Sequence, residues 1–262
     1  MSKLSSSEKF FDLSDYGRPV AVSVVKRLSD TGITPVQITL IFGLCGLFAV
    51  YLILNGFYIT AGIFLILKSI IDAMDGELAR VRKTPSFTGR YLDSVFDIIL
   101  NFMFVMAVWS VTGQSIWMAL AAFFSIQLQG TFYNYYYVIK RHFSAGGDRT
   151  SSIFELDTPT AYPNESQRSV NVLFLLYTIF YSLFDKIVYS LDRKASTVIH
   201  FPRWFMTLCS LYGLGFQLLV FALLLATGNI DILLPFFVVY SIFIPVLLII
   251  RKVFLTERNL PG

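Results

Sequence analysis

Apolar positions in this chain run together instead of alternating with polar ones. Stretches close to the ~20 residues that cross a hydrocarbon core lie at 36–54, 58–79, 87–109, 115–139, 204–226 and 232–250. They predict six transmembrane helices. Segment 170–191 is patterned differently. Its apolar run stops at Phe184, Asp185 and Lys186 interrupt the next turn, and Asn171, Thr178, Ser182, Asp185, Tyr189 and Asp192 recur at separations of three, four or seven. That stripe predicts an amphipathic helix between spans four and five, interfacial or packed on the bundle. Ahead of the first span a short helix is predicted at 19–28, with Pro19 in its first turn and Gly32 beyond its end. Its Ala21, Val24, Val25 and Leu28 form a face that can lie on the membrane surface. Thr34 and Pro35 then serve as cap and first residue of span one.

Composition agrees with that pattern. Hydrophobic residues make up 55% and charged residues 15%, against about 25% charged in a soluble domain, and the mean hydropathy is +0.66. The expected fold class is therefore an all-α integral membrane protein, one membrane-embedded domain over 1–262. Residues 1–33 form an N-terminal cytoplasmic segment with the surface helix, and 140–203 form a cytoplasmic loop with the amphipathic helix.

Charge placement sets the orientation. With six spans, the residues before Val36, the turn with Arg82 and Lys83, region 140–203 and the tail with Arg251 and Lys252 share one face. The opposite face receives Asn55-Gly56, Thr112-Gly113-Gln114 and Thr227-Gly228-Asn229, with no Lys or Arg. A seventh span would split the basic residues across both sides, so both ends are expected to be cytoplasmic. The net charge of +4 is accounted for by orientation and anionic head groups, and no nucleic-acid partner is implied. Residues 1–33 contain no signal-type apolar core, so no cleaved leader is expected. Cys45 and Cys209 fall inside spans and read as packing residues.

Within this apolar background Asp72, Asp75, Asp93 and Asp97 crowd into 26 residues, in the pattern D-x-x-D-G-x-x-A-R-x8-G-x3-D-x3-D. Asp72 and Asp75 are i and i+3 on the second span, Asp93 and Asp97 i and i+4 on the third, so each pair shares a helix face. Converging carboxylates in low dielectric repel unless cations neutralise them, and oxygen-only ligands select hard ions. Two divalent cations, Mg²⁺ or Mn²⁺, fit. Such a site can bind a pyrophosphate while a free carboxylate oxygen takes a proton from an attacking hydroxyl. Gly76 and Gly89 leave room for a ligand against the backbone, Ala79 keeps the next turn open, and Arg80 adds a fixed positive charge. A structural ion network or a cation pathway is the competing reading. A transporter would spread acids over several spans, yet the other predicted spans hold almost none.

Other polar residues leave choices open. Lys68 is either a salt-bridge partner of Asp72 or a phosphate contact, and Asn101, one turn past Asp97, is equally undecided. Gln127, Gln129, Tyr133, Asn134 and Tyr137 give span four a polar side that is either interhelix bonding and interface belt or part of an acceptor pocket. Lys140, Arg141, Arg149 and Arg168 suit a phosphorylated acceptor or lipid head groups. His142 and His200 are isolated. Gly213 and Gly215 are a small-residue hint of helix pairing.

The motif Asp72-x-x-Asp75-Gly76-x-x-Ala79-Arg80-x8-Gly89-x3-Asp93-x3-Asp97 resembles the complete signature of the CDP-alcohol phosphotransferases, matched at every fixed position. The six-span count, the helix before the first span and the Thr34-Pro35 start are similar more loosely over most of the chain. The resemblance implies metal-dependent transfer of a substituted phosphate from a CDP-linked donor to an alcohol, with release of CMP, at the cytoplasmic membrane face. Asp72, Asp75, Asp93 and Asp97 would hold two metals. Asp93 and Asp97 would be the catalytic pair, Asp97 doubling as base, and Gly76, Ala79, Arg80 and Gly89 would shape the cytidine diphosphate pocket. Members commonly pair, so a homodimer is implied. Choline and ethanolamine members carry a His beside the third Asp, whereas Ser94 follows Asp93 here. The Leu92-Asp93-Ser94 context therefore points to CDP-diacylglycerol as donor and a small polar alcohol as acceptor, with a CDP-choline type of reaction on diacylglycerol as the alternative.

Overall fold

A computed structural model describes residues 4, 8–143, 155, 157–198 and 200–255. Among these the chain is helical without strands. The helices are α1 (Arg18–Leu28), α2 (Pro35–Leu54), α3 (Tyr58–Arg82), α4 (Phe87–Thr112), α5 (Ile116–Phe143), α6 (Gln167–Leu191), α7 (Arg203–Ser210), α8 (Leu214–Ala226), α9 (Ile230–Tyr240) and α10 (Phe243–Phe254). Short 3-10 turns stand at Leu13–Asp15 and Arg193–Thr197. The expected starts are built by local chemistry. Thr34 and Gln37 form a reciprocal capping box at α2, with Pro35 in the first turn, and the Ser86 hydroxyl accepts from the Gly89 amide at 2.8 Å to open α4.

By length and composition α2, α4, α6 and the continuous Ile230–Phe254 stretch of α9 and α10 can each cross a membrane, and the α7–α8 pair, bent by 45°, makes a fifth candidate. The protein is thus an integral membrane protein. α3 and α5 fall short on apolar character, since α3 carries the acids and α5 the glutamines and tyrosines. Segment 204–226 is broken near Leu211–Gly213, where periodicity alone had drawn a continuous span, whereas Ile230–Phe254 runs on as one apolar stretch through a turn at Ser241.

α2 is the spine of the bundle. It packs along both α3 and α4, whereas these two consecutive helices scarcely touch each other. A large core joins α2, α3, α4, α5, α8 and α9 through residues such as Phe42, Leu65, Phe104, Ala122, Phe221 and Phe237. The divergence of α3 from α4 leaves a cavity between them, to which Pro35 and Thr39 of α2 also contribute.

Three elements take a form that spacing alone left open. The apolar face of α1 does not lie open to lipid. Ala21 and Val25 are fully buried, Val25 packs with Ile38 and Leu78, and the Arg82 guanidinium donates to the carbonyls of Leu28, Ser29, Thr31 and Ile33 at 2.5–3.0 Å. Arg82 thereby ties the end of α1 and the turn after it to α3. The amphipathic segment is one unbroken helix, α6, whose outward stripe is apolar: Val172, Leu175, Ile179 and Leu183 are exposed. Its Thr178, Ser182 and Asp185 are half-buried, and the helix packs against α4 and α5. Finally, Gly213 and Gly215 serve a contact inside the chain. A Cβ on Gly215 would stand 1.9 Å from the Ser14 carbonyl oxygen, so the Leu13–Asp15 turn docks where only glycine fits. The hint of helix pairing at those glycines disappears with it.

Glu165, just before α6, accepts from the Ser86 hydroxyl at 2.5 Å and from the Phe87 and Thr88 amides at 3.1 and 2.8 Å. It is a second cap on α4, supplied from 77–79 residues away. Burial raises the Glu165 carboxyl, but the bonds from Ser86, Thr88 and Phe87 outweigh it and hold the group below its ordinary value. A lowered folded value stabilises above the unfolded glutamate pKa of about 4.3, and that contribution disappears as pH falls through the folded value. Glu165→Ala is expected to cost about 1 kcal/mol at neutral pH. Thermal unfolding in detergent should show the gap to wild type closing below pH ~4, and a gap that persists in acid would contradict the ionised cap.

Candidate active site

The cavity between α3 and α4 has a volume of about 660 Å³ and is lined by all eight fixed motif residues: Asp72, Asp75, Gly76, Ala79, Arg80, Gly89, Asp93 and Asp97. Asp72, Asp75 and Asp93 each offer a carboxylate oxygen within 4.8 Å of the others. Asp75 is oriented by the Thr39 hydroxyl of α2, which donates to its Oδ2 at 2.6 Å. Asp93 Oδ1 is buried and has no hydrogen-bond partner among the described residues. An orphaned buried carboxylate oxygen beside two further carboxylates is the donor set of a hard divalent cation, and the residues fit such an ion.

Asp97 stands apart from that trio. Its Oδ1 is taken by the ammonium of Lys68, which is 1% exposed and also lies 3.7 Å from Asp72 Oδ2. The ammonium sits 4.6 Å over the Phe42 ring as well. Lys68 does pair with Asp72, but its nearer partner is on the neighbouring helix. Helical spacing along α3 favoured Asp72, one turn away, because it registers only local partners.

The pocket-shaping residues are arranged more tightly than their spacing suggested. The space beside Gly76 is occupied by Arg80, whose Nη1 would be 3.3 Å from a Cβ there, and that beside Gly89 by the capping Ser86 hydroxyl. Arg80 itself donates to Glu77 Oε2 at 2.8 Å, and Arg18 reaches the same oxygen at 3.3 Å.

The polar side of α5 divides. Gln127, Tyr133, Asn134 and Tyr137 line the cavity, whereas the Gln129 amide is occupied by the Phe237 carbonyl and the Ser241 hydroxyl, both at 2.9 Å. Arg141 lines the cavity. Lys140 instead bonds Glu8 at 2.5 Å and the Phe201 carbonyl at 3.2 Å, and Arg168 is exposed away from it. Arg149 lies outside the described residues. His142 stays clear of the cavity, His200 lies 3.5 Å from Glu8, and Cys45 and Cys209 are buried and free.

Several lining residues carried no signal in the sequence. Asp12, Ser14, Asp15 and Arg18 make an N-terminal wall, held by Tyr133 donating to Asp12 Oδ2 at 2.5 Å and by the Leu13 amide on the Ser210 hydroxyl at 3.0 Å. Tyr177 and Tyr181 come from α6, the latter donating to the Ser94 carbonyl at 2.9 Å. Tyr162 closes the rim, stacked on Phe87 at 4.9 Å.

A helical membrane bundle that gathers four aspartates into one cavity, with Arg18, Arg80, Lys83, Arg90 and Arg141 also lining it, has the architecture of a membrane-embedded enzyme. Residues 32–208 match the CDP-alcohol phosphatidyltransferase family, and the chain belongs to that family. It is 43% identical over 72 residues to the archaetidylinositol phosphate synthase of Pyrococcus horikoshii, covering 28% of this chain and 38% of that one. The Escherichia coli inner membrane protein YnjF is 31% identical over 93 residues, 34% of this chain and 45% of that protein. The bifunctional IPC transferase and DIPP synthase of Aquifex aeolicus is 34% identical over 93 residues, 35% of this chain and 21% of that one. The chain thus spans less than half the length of each of these relatives.

Proposed function

We propose that the protein transfers a phosphatidyl-type group from CDP-diacylglycerol to the hydroxyl of a small polar alcohol, releasing CMP, at the cytoplasmic face of a membrane. The observation that carries this reading is the meeting of every fixed motif residue on one cavity, with three carboxylate oxygens within 4.8 Å. Asp72, Asp75 and Asp93 would hold one divalent cation, and a second would draw on Asp97. Bound metal would neutralise the diphosphate and stabilise the departing CMP.

The chain's own groups do the rest. Gly76, Ala79 and Gly89 keep backbone close to the nucleotide, and Arg80 turns from Glu77 towards its phosphates. Asp97 takes the proton of the acceptor hydroxyl on Oδ2, because Oδ1 faces Lys68. The hydroxyl oxygen bonds to the β-phosphorus, the bond to the bridging oxygen breaks, and CMP leaves with that oxygen. Asp93 would act with Asp97 by holding the cation that orients the reacting phosphate opposite the hydroxyl.

The reading includes six spans. It is supported by the placement of α6, whose preceding Glu165 caps the first turn of α4 while the following Asp192 accepts from Tyr136 at 2.8 Å in the last third of α5. Antiparallel α4 and α5 put those two points at one end of the bundle. Six spans, with α6 packed beside α4 and α5 and not counted among them, keep the basic segments on one side.

Radiolabelled donors test the substrate assignment. CMP release is expected from CDP-diacylglycerol with a small alcohol. Activity with CDP-choline and diacylglycerol, and none with CDP-diacylglycerol, would reverse the choice of donor.

A further inference from the structure

α6 has two faces of different chemistry. On the inward one Val170, Phe174, Phe184 and Val188 are buried, and Tyr177 and Tyr181 reach the cavity. The outward one carries Val172, Leu175, Ile179 and Leu183, at 52%, 59%, 61% and 56% exposure. Exposed Arg168 and Lys186 stand at the two ends of that stripe. At 3.6 residues per turn these six positions fall within an arc of about 80°. Asp185, the only acid in the helix, is half-buried and outside the arc. The helix leads into a turn that is fixed from behind. Asp192 accepts from the Tyr136 hydroxyl at 2.8 Å and lies 2.7 Å from Arg251 Nε, and its carbonyl accepts from the Tyr135 hydroxyl at 2.8 Å. Ala195 is fully buried. Between these two anchors Arg193 and Lys194 are exposed.

We infer that the outward face of α6 and the turn after it form a docking surface for anionic phospholipid of the surrounding bilayer, with acyl chains on the apolar stripe and phosphates at Arg168, Lys186, Arg193 and Lys194. The inference does not depend on the transfer reaction proposed above. An exposed apolar stripe is covered by lipid or by another apolar partner, and the cations at its ends choose the charge of what covers it. A helix lying along the head-group layer is held by its apolar area and by attraction to anionic lipid together. Each Lys or Arg at such a surface contributes about fivefold in binding. A second copy of the chain fits less well, because a two-fold contact through this face brings the same cations near each other.

The test uses the full chain in lipid discs made of equal parts phosphatidylcholine and phosphatidylglycerol. Native mass spectrometry of the released protein should find phosphatidylglycerol retained about tenfold over phosphatidylcholine. Replacing all four cations, Arg168→Gln, Lys186→Gln, Arg193→Gln and Lys194→Gln, should lower that excess about fivefold or more. The pair Arg193→Gln and Lys194→Gln serves if the fourfold variant does not fold, and should lower the excess in the same direction. No excess in wild type, or an excess unchanged in the variants, overturns the surface. Ser169→Cys and Ser190→Cys, exposed near the two ends of α6, should both react with an impermeant maleimide from the same side of sealed vesicles. Labelling from opposite sides makes α6 a span and overturns the proposal. So does a disulfide-linked dimer of Ile179→Cys on mild oxidation, which would seat a second copy on the stripe.

Discussion

Asp97→Asn is expected to lower CMP release about 10²–10⁴-fold while Mg²⁺-dependent binding of CDP-diacylglycerol survives. The amide keeps the size and a ligand oxygen of the carboxylate but cannot accept the acceptor's proton, and loss of a positioned base costs rates of that order. Asp93→Asn should behave differently. Asp93 belongs to the trio of carboxylates within 4.8 Å, so its neutralisation should weaken metal binding and turnover together. Calorimetry with Mg²⁺ beside single-turnover CMP release separates the two, and near-normal turnover in Asp97→Asn would remove it from the role of base.

Lys68→Met should be the most destabilising single change at the site. The ammonium is nearly inaccessible and faces Asp97 and Asp72 together, so its removal leaves two half-buried carboxylates without a counter-charge. Breaking a buried pair from one side costs about 3–5 kcal/mol. The loss should be greatest without metal and should shrink when Mg²⁺ is added, because a divalent ion can replace part of the missing charge. Thermal unfolding of both proteins with and without Mg²⁺ reads this directly. Equal midpoints in EDTA would show that Lys68 does not balance the cluster.

The parts of the site visible in the sequence are those with short-range grammar. Asp72 with Asp75, Asp93 with Asp97, the Thr34 capping box and the apolar runs all repeat at helical or bilayer spacing, so one chain sufficed to read them. What stayed hidden depends on contacts between distant segments. Thr39 finds Asp75 across 36 residues, Lys68 finds Asp97 across 29, and Tyr133 finds Asp12 across 121. No periodicity encodes such pairings. The inward side of α6 was not read for another reason: a stripe of polar residues says that a helix has two sides, and only its packing on α4 and α5 says which side turns to the bundle. The bend between α7 and α8 was hidden because hydropathy does not distinguish a bent helix from a straight one.

The docking of Leu13 against Ser210 joins residues 197 positions apart, and this has a bearing on synthesis. A ribosome delivers the N-terminal wall first and its receptor, at the junction of α7 and α8, among the last helices. During translation the carboxylate cavity therefore lacks one wall, and loop closure over so long a stretch is a slow, late event. Nascent chains arrested before Ser210 would hold the complete aspartate motif yet be unable to enclose a substrate, so catalytic competence should arrive abruptly with the final third of the polypeptide rather than grow with its length.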